Sequence, residues 1–329
     1  MRGVDMTTGD AAAKPPVGRL APSPTGVLHL GNARTFLLTW LDIRTRGGTL
    51  LLRIEDIDGP RVKSGAERAT LEDLAWLGLD WDGAPLRQSE HCARYRAHVD
   101  GLIERGLAYP CICTRKEIED AASAPHEDWL DAAPYPGTCR GRFPTLAAAR
   151  AATGREPAVR YRVDVERVPF VDGFRGAQDG RIRGDFVIQK RDGEPAYQLA
   201  VVADDHAQGI TRVMRGDDLV PSTPRQLLLY AALGWEAPQF AHLPLLVGED
   251  GRRLAKRHGD TSLRSYRERG IDAESVLGWL AARSGLLPAR RRCSATELLA
   301  RCRDRGGFLD AVPRDPLVVH ADEIDGARG

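Results

Sequence analysis

Three groups of residues in this sequence have the types and spacing to do chemistry. The segment from Ala21 to Asn32 (APSPTGVLHLGN) carries Pro22 and Pro24, which stiffen the chain, and Gly26 and Gly31, which let a ligand come close to the backbone. His29 stands where a helix should begin, beside N–H groups with no intrahelical partner and the positive end of the helix dipole. His29 and those N–H groups could both donate hydrogen bonds to a triphosphate, which the dipole also favours. The second group is Leu254 to Gly259 (LAKRHG), where the Lys256 ammonium and the Arg257 guanidinium can meet phosphoryl oxygens as negative charge builds on them. Only Lys14, Lys63, Lys116, Lys190 and Lys256 are lysines, so Lys256 is not readily explained as surface filler, although a solvated charged loop is the competing reading. The third group is Cys111, Cys113 and Cys139. Three thiolates suit zinc, and a fourth ligand must close the tetrahedron; on zinc chemistry alone His126 is a candidate. Cys92, Cys293 and Cys302 lie alone in helix-like stretches and read as packing residues.

These groups need elements to hold them in place. The run 17–22 reads as a short buried strand, 30–46 as a helix with apolar residues at Phe36, Leu37, Trp40, Leu41 and Ile43, and 49–55 as a second buried strand. Strand, loop, helix and strand make a βαβ unit, hence a parallel sheet whose ligands bind outside the carboxyl ends of the strands. Helical patterns follow over 66–77 and 89–106. Between 107 and 184 the texture changes to cysteines, prolines, an alanine-rich run and short alternating strands such as 159–163, which looks like an inserted module. Strand-like apolar runs return at 185–188 and 199–203, then a helix over 223–233. From 262 the pattern is helical and ends in a frayed tail. The expected fold is therefore α/β, a Rossmann-type parallel sheet split by an inserted zinc-binding module, with a short helical C-terminal region. Its parts are a disordered tail (1–16), the first half of the catalytic domain (17–106), the insert (107–184), the second half (185–250), and the basic loop with its following helices (251–329).

Composition narrows the class. The chain has 329 residues, 42% hydrophobic and 28% charged, enough apolar material for one large domain or two ordinary ones, which excludes a wholly disordered chain. Lys+Arg 47 against Asp+Glu 46 leaves a formal charge of +1, so the total neither demands nor forbids a polyanionic partner. No run approaches the roughly 20 apolar residues of a membrane span, and 1–16 lacks the apolar centre of a signal peptide, so a cytoplasmic location without membrane contact is expected. Six cysteines are too few for a disulfide scaffold, and no 20–50-residue repeat is visible.

Together the two phosphate-handling loops resemble the signature pair of class I aminoacyl-tRNA synthetases. The glutamyl branch is pointed to by Arg19-Leu20-Ala21-Pro22-Ser23-Pro24-Thr25-Gly26, by Leu52-Arg53-Ile54-Glu55-Asp56-Ile57-Asp58, and by the blocks from Tyr197 to His206 and from Arg215 to Asp218. Asn32 stands where the first signature often has a second histidine, and Ala255 where the second usually has serine, which implies weakened contacts with the chemistry kept. The resemblance implies that Arg19, Ala21, Ser23, Glu55, Tyr197 and Arg215 bind L-glutamate. It also implies that His29, Gly31, Asn32, Lys256 and Arg257 bind ATP with its Mg²⁺, and that His29 and Lys256 are catalytic. Two arginines can each clamp a carboxylate by parallel bonds, and Glu55 can take the ammonium. The resemblance makes Tyr135 the fourth zinc ligand beside Cys111, Cys113 and Cys139, and gives the insert the end of a tRNA.

Only 70 residues follow Gly259, which leaves no room for the large anticodon-binding part of this branch. The resemblance is therefore to a short group described as attaching glutamate to queuosine at the wobble position of tRNA(Asp). The expectation is a monomeric enzyme with ATP, L-glutamate and queuosine-bearing tRNA(Asp) as partners. A tRNA-charging enzyme with a reduced C-terminus and a non-catalytic binding paralogue are the alternatives. Arg140, Arg142, Arg160, Arg162 and Arg290 to Arg292 are candidate phosphate contacts.

Overall fold

The computed structural model describes residues 14–24, 26–57, 62–121, 135–252, 254, 261–305, 307–320 and 323. β1 (Val17–Leu20), α1 (Leu30–Thr45) and β2 (Thr49–Ile54) form the expected βαβ unit, with Val17 opposite Thr49 in a parallel pair. Leu30, Leu37, Leu38 and Leu41 make the buried stripe of α1 and pack with Leu20, Leu50 and Leu52, all without exposure. Each such leucine contributes about 1.5–3 kcal/mol by burial. Gly18 permits the close approach: a Cβ there would fall 2.5 Å from Ile43 Cγ1. After α2 (Ala66–Trp76), β3 (Leu86–Arg87) joins β2 in parallel, and α3 (Cys92–Glu104) follows.

The change of texture near residue 107 coincides with a change of pairing. β4 (Ala108–Cys111), α4 (Arg115–Ala121), α5 (Leu146–Thr153), β5 (Ala158–Tyr161), β6 (Phe170–Asp172), β7 (Gly176–Gln178) and β8 (Phe186–Gln189) come next. β4, β5 and β8 make an antiparallel sheet, and β6 and β7 an antiparallel hairpin.

α6 (Tyr197–Ala207) contains the run 199–203, expected as a strand. Leu199, Ala200, Val201, Val202 and Ala203 are all buried, so no polar face betrays a helical period and the run reads like a buried strand. The strand in this region is β9 (Arg212–Gly216), followed by α7 (Thr223–Leu233) and by β10 (Gln239–Leu243), parallel to β9 with Arg215 opposite His242. β9 reaches the first half of the sheet where the Thr211 amide donates to the Val17 carbonyl at 2.9 Å, so parallel strands from both sides of the antiparallel stretch lie together. β11 (Leu246–Val247), α8 (Leu263–Glu268), α9 (Ala273–Arg283), α10 (Ala295–Asp304) and β12 (Leu317–Val318) complete the chain. Part of the stretch expected to fray is ordered: β12 pairs in parallel with β11, and Val312 and Val319 enter the main core. Among the described residues no helix is long and apolar enough to cross a membrane.

Candidate active site

A cleft of about 580 Å³ opens at the carboxyl ends of the parallel strands, where such folds bind ligands. Arg19 comes from β1, Glu55 from the end of β2, Tyr197 from the first turn of α6 and Arg215 from β9; Ala21, Ser23, His29, Gly31 and Asn32 complete that wall. All six residues expected to bind an acidic amino acid thus line one cleft, together with the described residues expected to hold ATP.

Beneath them lies an ion-pair layer whose roles the sequence did not announce. Arg53 is wholly buried; its Nη1 donates to Asp205 Oδ1 at 2.6 Å and its Nη2 to Glu55 Oε1 at 3.2 Å. Asp205 also accepts from Arg19 Nε at 3.3 Å. Neighbouring Asp204 collects the Tyr95 hydroxyl at 2.9 Å, Gln88 Nε2 at 2.7 Å and Arg94 Nη2 at 2.5 Å. The available signal was an arginine inside an otherwise apolar strand, since a buried charge is kept only when paired. Burial pushes the Glu55 carboxyl up, and the opposing pull of Arg53 and Arg19 does not cancel it. Asp205, also buried, is held below the usual carboxylate range by Arg53 and Arg19.

Arg215 is held on two of its three nitrogens. Nε donates to His242 Nε2 and Nη2 to Thr223 Oγ1, both at 2.9 Å. Nη1 is buried with no partner among the described residues. A buried guanidinium N–H without an acceptor is costly, and in a cleft wall it is suited to an incoming anion.

At the other end, His29 caps α1 and its N–H donates to Asn32 Oδ1 at 3.4 Å. Gly31 faces open space, since a Cβ there would meet nothing within 4 Å. Lys256, Arg257 and the rest of 255–260 lie outside the described residues. Their flanks meet this wall: Leu254 lines the cleft, the Leu30 amide donates to Thr261 O at 3.1 Å and the Leu263 amide to Leu28 O at 2.8 Å.

Cys111, Cys113 and Cys139 bring their sulfurs within 4.8 Å of one another. The Tyr135 hydroxyl sits 3.4 Å from Cys111 Sγ and 3.6 Å from Cys113 Sγ, and accepts from the Cys139 amide at 2.9 Å. Cys113 and Cys139 sulfurs are 3.5 Å apart, close to the edge of a tetrahedron with zinc–sulfur bonds of about 2.3 Å. Arg160 supports the cluster, with Nε 3.3 Å from Cys111 Sγ and its guanidinium 3.9 Å above the Tyr135 ring. Burial pushes the Cys113 thiol up to about 11 in the absence of an ion. His126 lies outside the described residues.

A second, larger cleft of about 920 Å³ starts at this cluster. Arg115, Arg160, Arg181, Arg183, Lys190, Arg191 and Arg225 line it against only Asp179 and Asp185. Of the arginines singled out from sequence, Arg160 alone lies here. Arg140 is committed to Asp185 at 2.7 Å, Arg162 to Asp164 at 2.7 Å, Arg292 to Asp272 at 3.0 Å, and Arg290 to the Glu323 carbonyl at 2.7 Å. The 3-10 helix Asp217–Ser222 divides the two clefts: Asp218 and Leu219 line the first, Val220 and Pro221 the second.

The model of the family "tRNA synthetases class I (E and Q), catalytic domain" matches residues 17–301. The chain belongs to this family. Within it, the chain is 44% identical over 322 residues to a protein of Symbiobacterium thermophilum named glutamyl-Q tRNA(Asp) synthetase, covering 95% of this chain and 98% of that one. It is 45% identical over 265 residues to the glutamate–tRNA ligase of Aquifex aeolicus, but spans only 56% of that protein's length. Among solved structures, a glutamate tRNA ligase from Elizabethkingia meningosepticum in complex with its amino acid superposes with a TM-score of 0.76 at 29% identity, over 95% of this chain and 68% of that one.

Proposed function

We propose that this family member activates L-glutamate with ATP and transfers it to queuosine at the wobble position of tRNA(Asp). One observation carries the activation step: Arg19 and Arg215 line the same strand-end cleft as Glu55, a charge pattern complementary to two carboxylates and one ammonium. The transfer step rests on relatives that match this chain nearly end to end and bear the name glutamyl-Q tRNA(Asp) synthetase.

In this reading Arg215, through the Nη1 that has no partner among the described residues, and Arg19 hold the carboxylates, Glu55 takes the ammonium, and Tyr197, Ala21 and Ser23 shape the remaining wall. A glutamine side chain would oppose N–H to N–H and be rejected. The α-carboxylate oxygen attacks the α-phosphorus of ATP in line; the new C–O–P bond forms as the bond to the leaving pyrophosphate breaks. His29, the α1 N-terminus with Gly31 and Asn32, and Lys256 with Arg257 place the phosphates and balance their growing charge. Mg²⁺ carried by ATP supplies further neutralisation of phosphate oxygens when bound. A hydroxyl of the queuosine cyclopentene diol then attacks the acyl carbon, and AMP leaves with the bonding pair.

Cys111, Cys113, Cys139 and Tyr135 would hold a structural zinc that staples the antiparallel module, with His126 the competing fourth ligand. The zinc takes no part in the reaction. The basic cleft beside this cluster is suited to RNA phosphates, and its position next to the amino-acid cleft supports delivery of an anticodon base. Charging of tRNA(Glu) is the second reading, favoured by the similarity to the Aquifex ligase. Transfer of labelled glutamate to queuosine-bearing tRNA(Asp), set against tRNA(Glu), separates the two.

A further inference from the structure

We propose that Asp172 and His242 are positioning residues for the Arg215 clamp, fixing which edge of its guanidinium is left for the substrate; this rests on the reading of the cleft as a glutamate site. His242 on β10 and Asp172 at the end of β6 are fully buried, and the Phe240 and Phe170 rings lie against the imidazole at 6.1 and 6.5 Å between centroids. Arginine has donors only, so the 2.9 Å bond from Arg215 Nε requires a lone pair on His242 Nε2. The ring proton must then sit on Nδ1, which lies 2.5 Å from Asp172 Oδ2.

Asp172 is kept as an acceptor by its own surroundings. Its Oδ1 takes the backbone N–H groups of Phe174 at 2.9 Å, Arg175 at 2.8 Å and His242 at 3.1 Å. The polarity of the chain is thereby set from end to end: carboxylate, N–H of imidazole, lone pair of imidazole, guanidinium. Thr223 occupies Nη2, leaving Nη1 as the edge without a partner among the described residues. Remove the acceptor at Nε2 and the guanidinium gains a second unpaired buried donor and freedom to turn about its Nε bond.

The test is glutamate-dependent pyrophosphate exchange by the full chain, with KM for glutamate and for ATP measured separately. His242→Leu is expected to raise KM for glutamate by about 10- to 100-fold, the range for losing a hydrogen bond to a charged group, while KM for ATP stays within about threefold. His242→Gln, whose side-chain oxygen can accept from Arg215, is expected to recover most of that loss; a purely structural role would not be rescued this way. An unchanged glutamate KM in folded His242→Leu, an equal rise in both KM values, or failure of glutamine to improve on leucine overturns the proposal. Should His242→Leu fail to fold, Asp172→Asn decides: a rise confined to glutamate supports the proposal and an unchanged KM overturns it. No exchange by the wild type would instead reject the glutamate reading itself.

Discussion

In the proposed glutamate site, Glu55 is the side chain whose ionisation would be felt by the substrate ammonium. Before substrate arrives its carboxyl is raised by burial, with Arg53 and Arg19 only partly offsetting this. An incoming ammonium pairs with the ionised form alone, so affinity should fall as pH drops through the raised pKa and hold steady above it. We therefore expect KM for glutamate to climb on the acid side at pH values above the ordinary glutamate range of about 4.3. Glu55→Gln should give a higher KM that is flat across the same window, read from exchange rates between about pH 5 and 8; a wild-type profile flat over that window would remove this role. That Arg19, Glu55 and Arg215 come together in one cleft was legible in the sequence because they sit inside motif blocks that resemble a known family. Arg53 and Asp205 lie in the same blocks, but their role depends on a pairing across 152 positions, and Asp172 and His242, outside the blocks, pair across 70. A pairing of that kind exists only once β6 lies against β10 and α6 against β2.

The elements divide into those whose own residues declare them and those declared by their neighbours. α1 has a polar start, a stripe of leucines and a basic residue in its last turn, and its bounds were readable to within a residue. α6 was misread because burial on every side erased its period, and β12 because a two-residue strand is defined by its partner β11 alone. The α1 N-terminus also permits a test in which stability and function move in opposite directions. Gly31 has no positive φ and no neighbour that its missing Cβ would touch, so the protein's own packing does not require glycine. Gly31→Ala should leave the melting temperature unchanged or raised, since alanine is favoured in a helix by about 0.5–1 kcal/mol. If the phosphates of ATP lie over this turn, the added methyl should raise KM for ATP by roughly tenfold or more through misplacement. An unaltered KM for ATP would place the nucleotide elsewhere.

Over the whole molecule, the strand-end cleft and the basic cleft lie on either side of one short 3-10 helix, with Cys111 and Cys113 of the cysteine cluster on the wall of the second. The split of the parallel sheet was readable from the change in texture near residue 107. The basic cleft was not, because its arginines, from Arg115 and Arg160 through Arg181, Arg183 and Arg191 to Arg225, are spread over 110 positions of sequence and meet only in the folded chain. Under the proposed function, this layout would separate activation from RNA docking. Cys139→Ser should remove about one zinc per chain by elemental analysis, lower the melting temperature, and reduce transfer to RNA by roughly tenfold or more, while glutamate-dependent exchange stays within about threefold. Equal losses in both steps would contradict that separation. The most direct measurement of the central claim is transfer of labelled glutamate, with ATP present, to three purified RNAs: tRNA(Asp) carrying queuosine, the same tRNA with guanosine at the wobble position, and tRNA(Glu). Label on the first alone is the predicted result; label on tRNA(Glu), or equal label on both forms of tRNA(Asp), would contradict it.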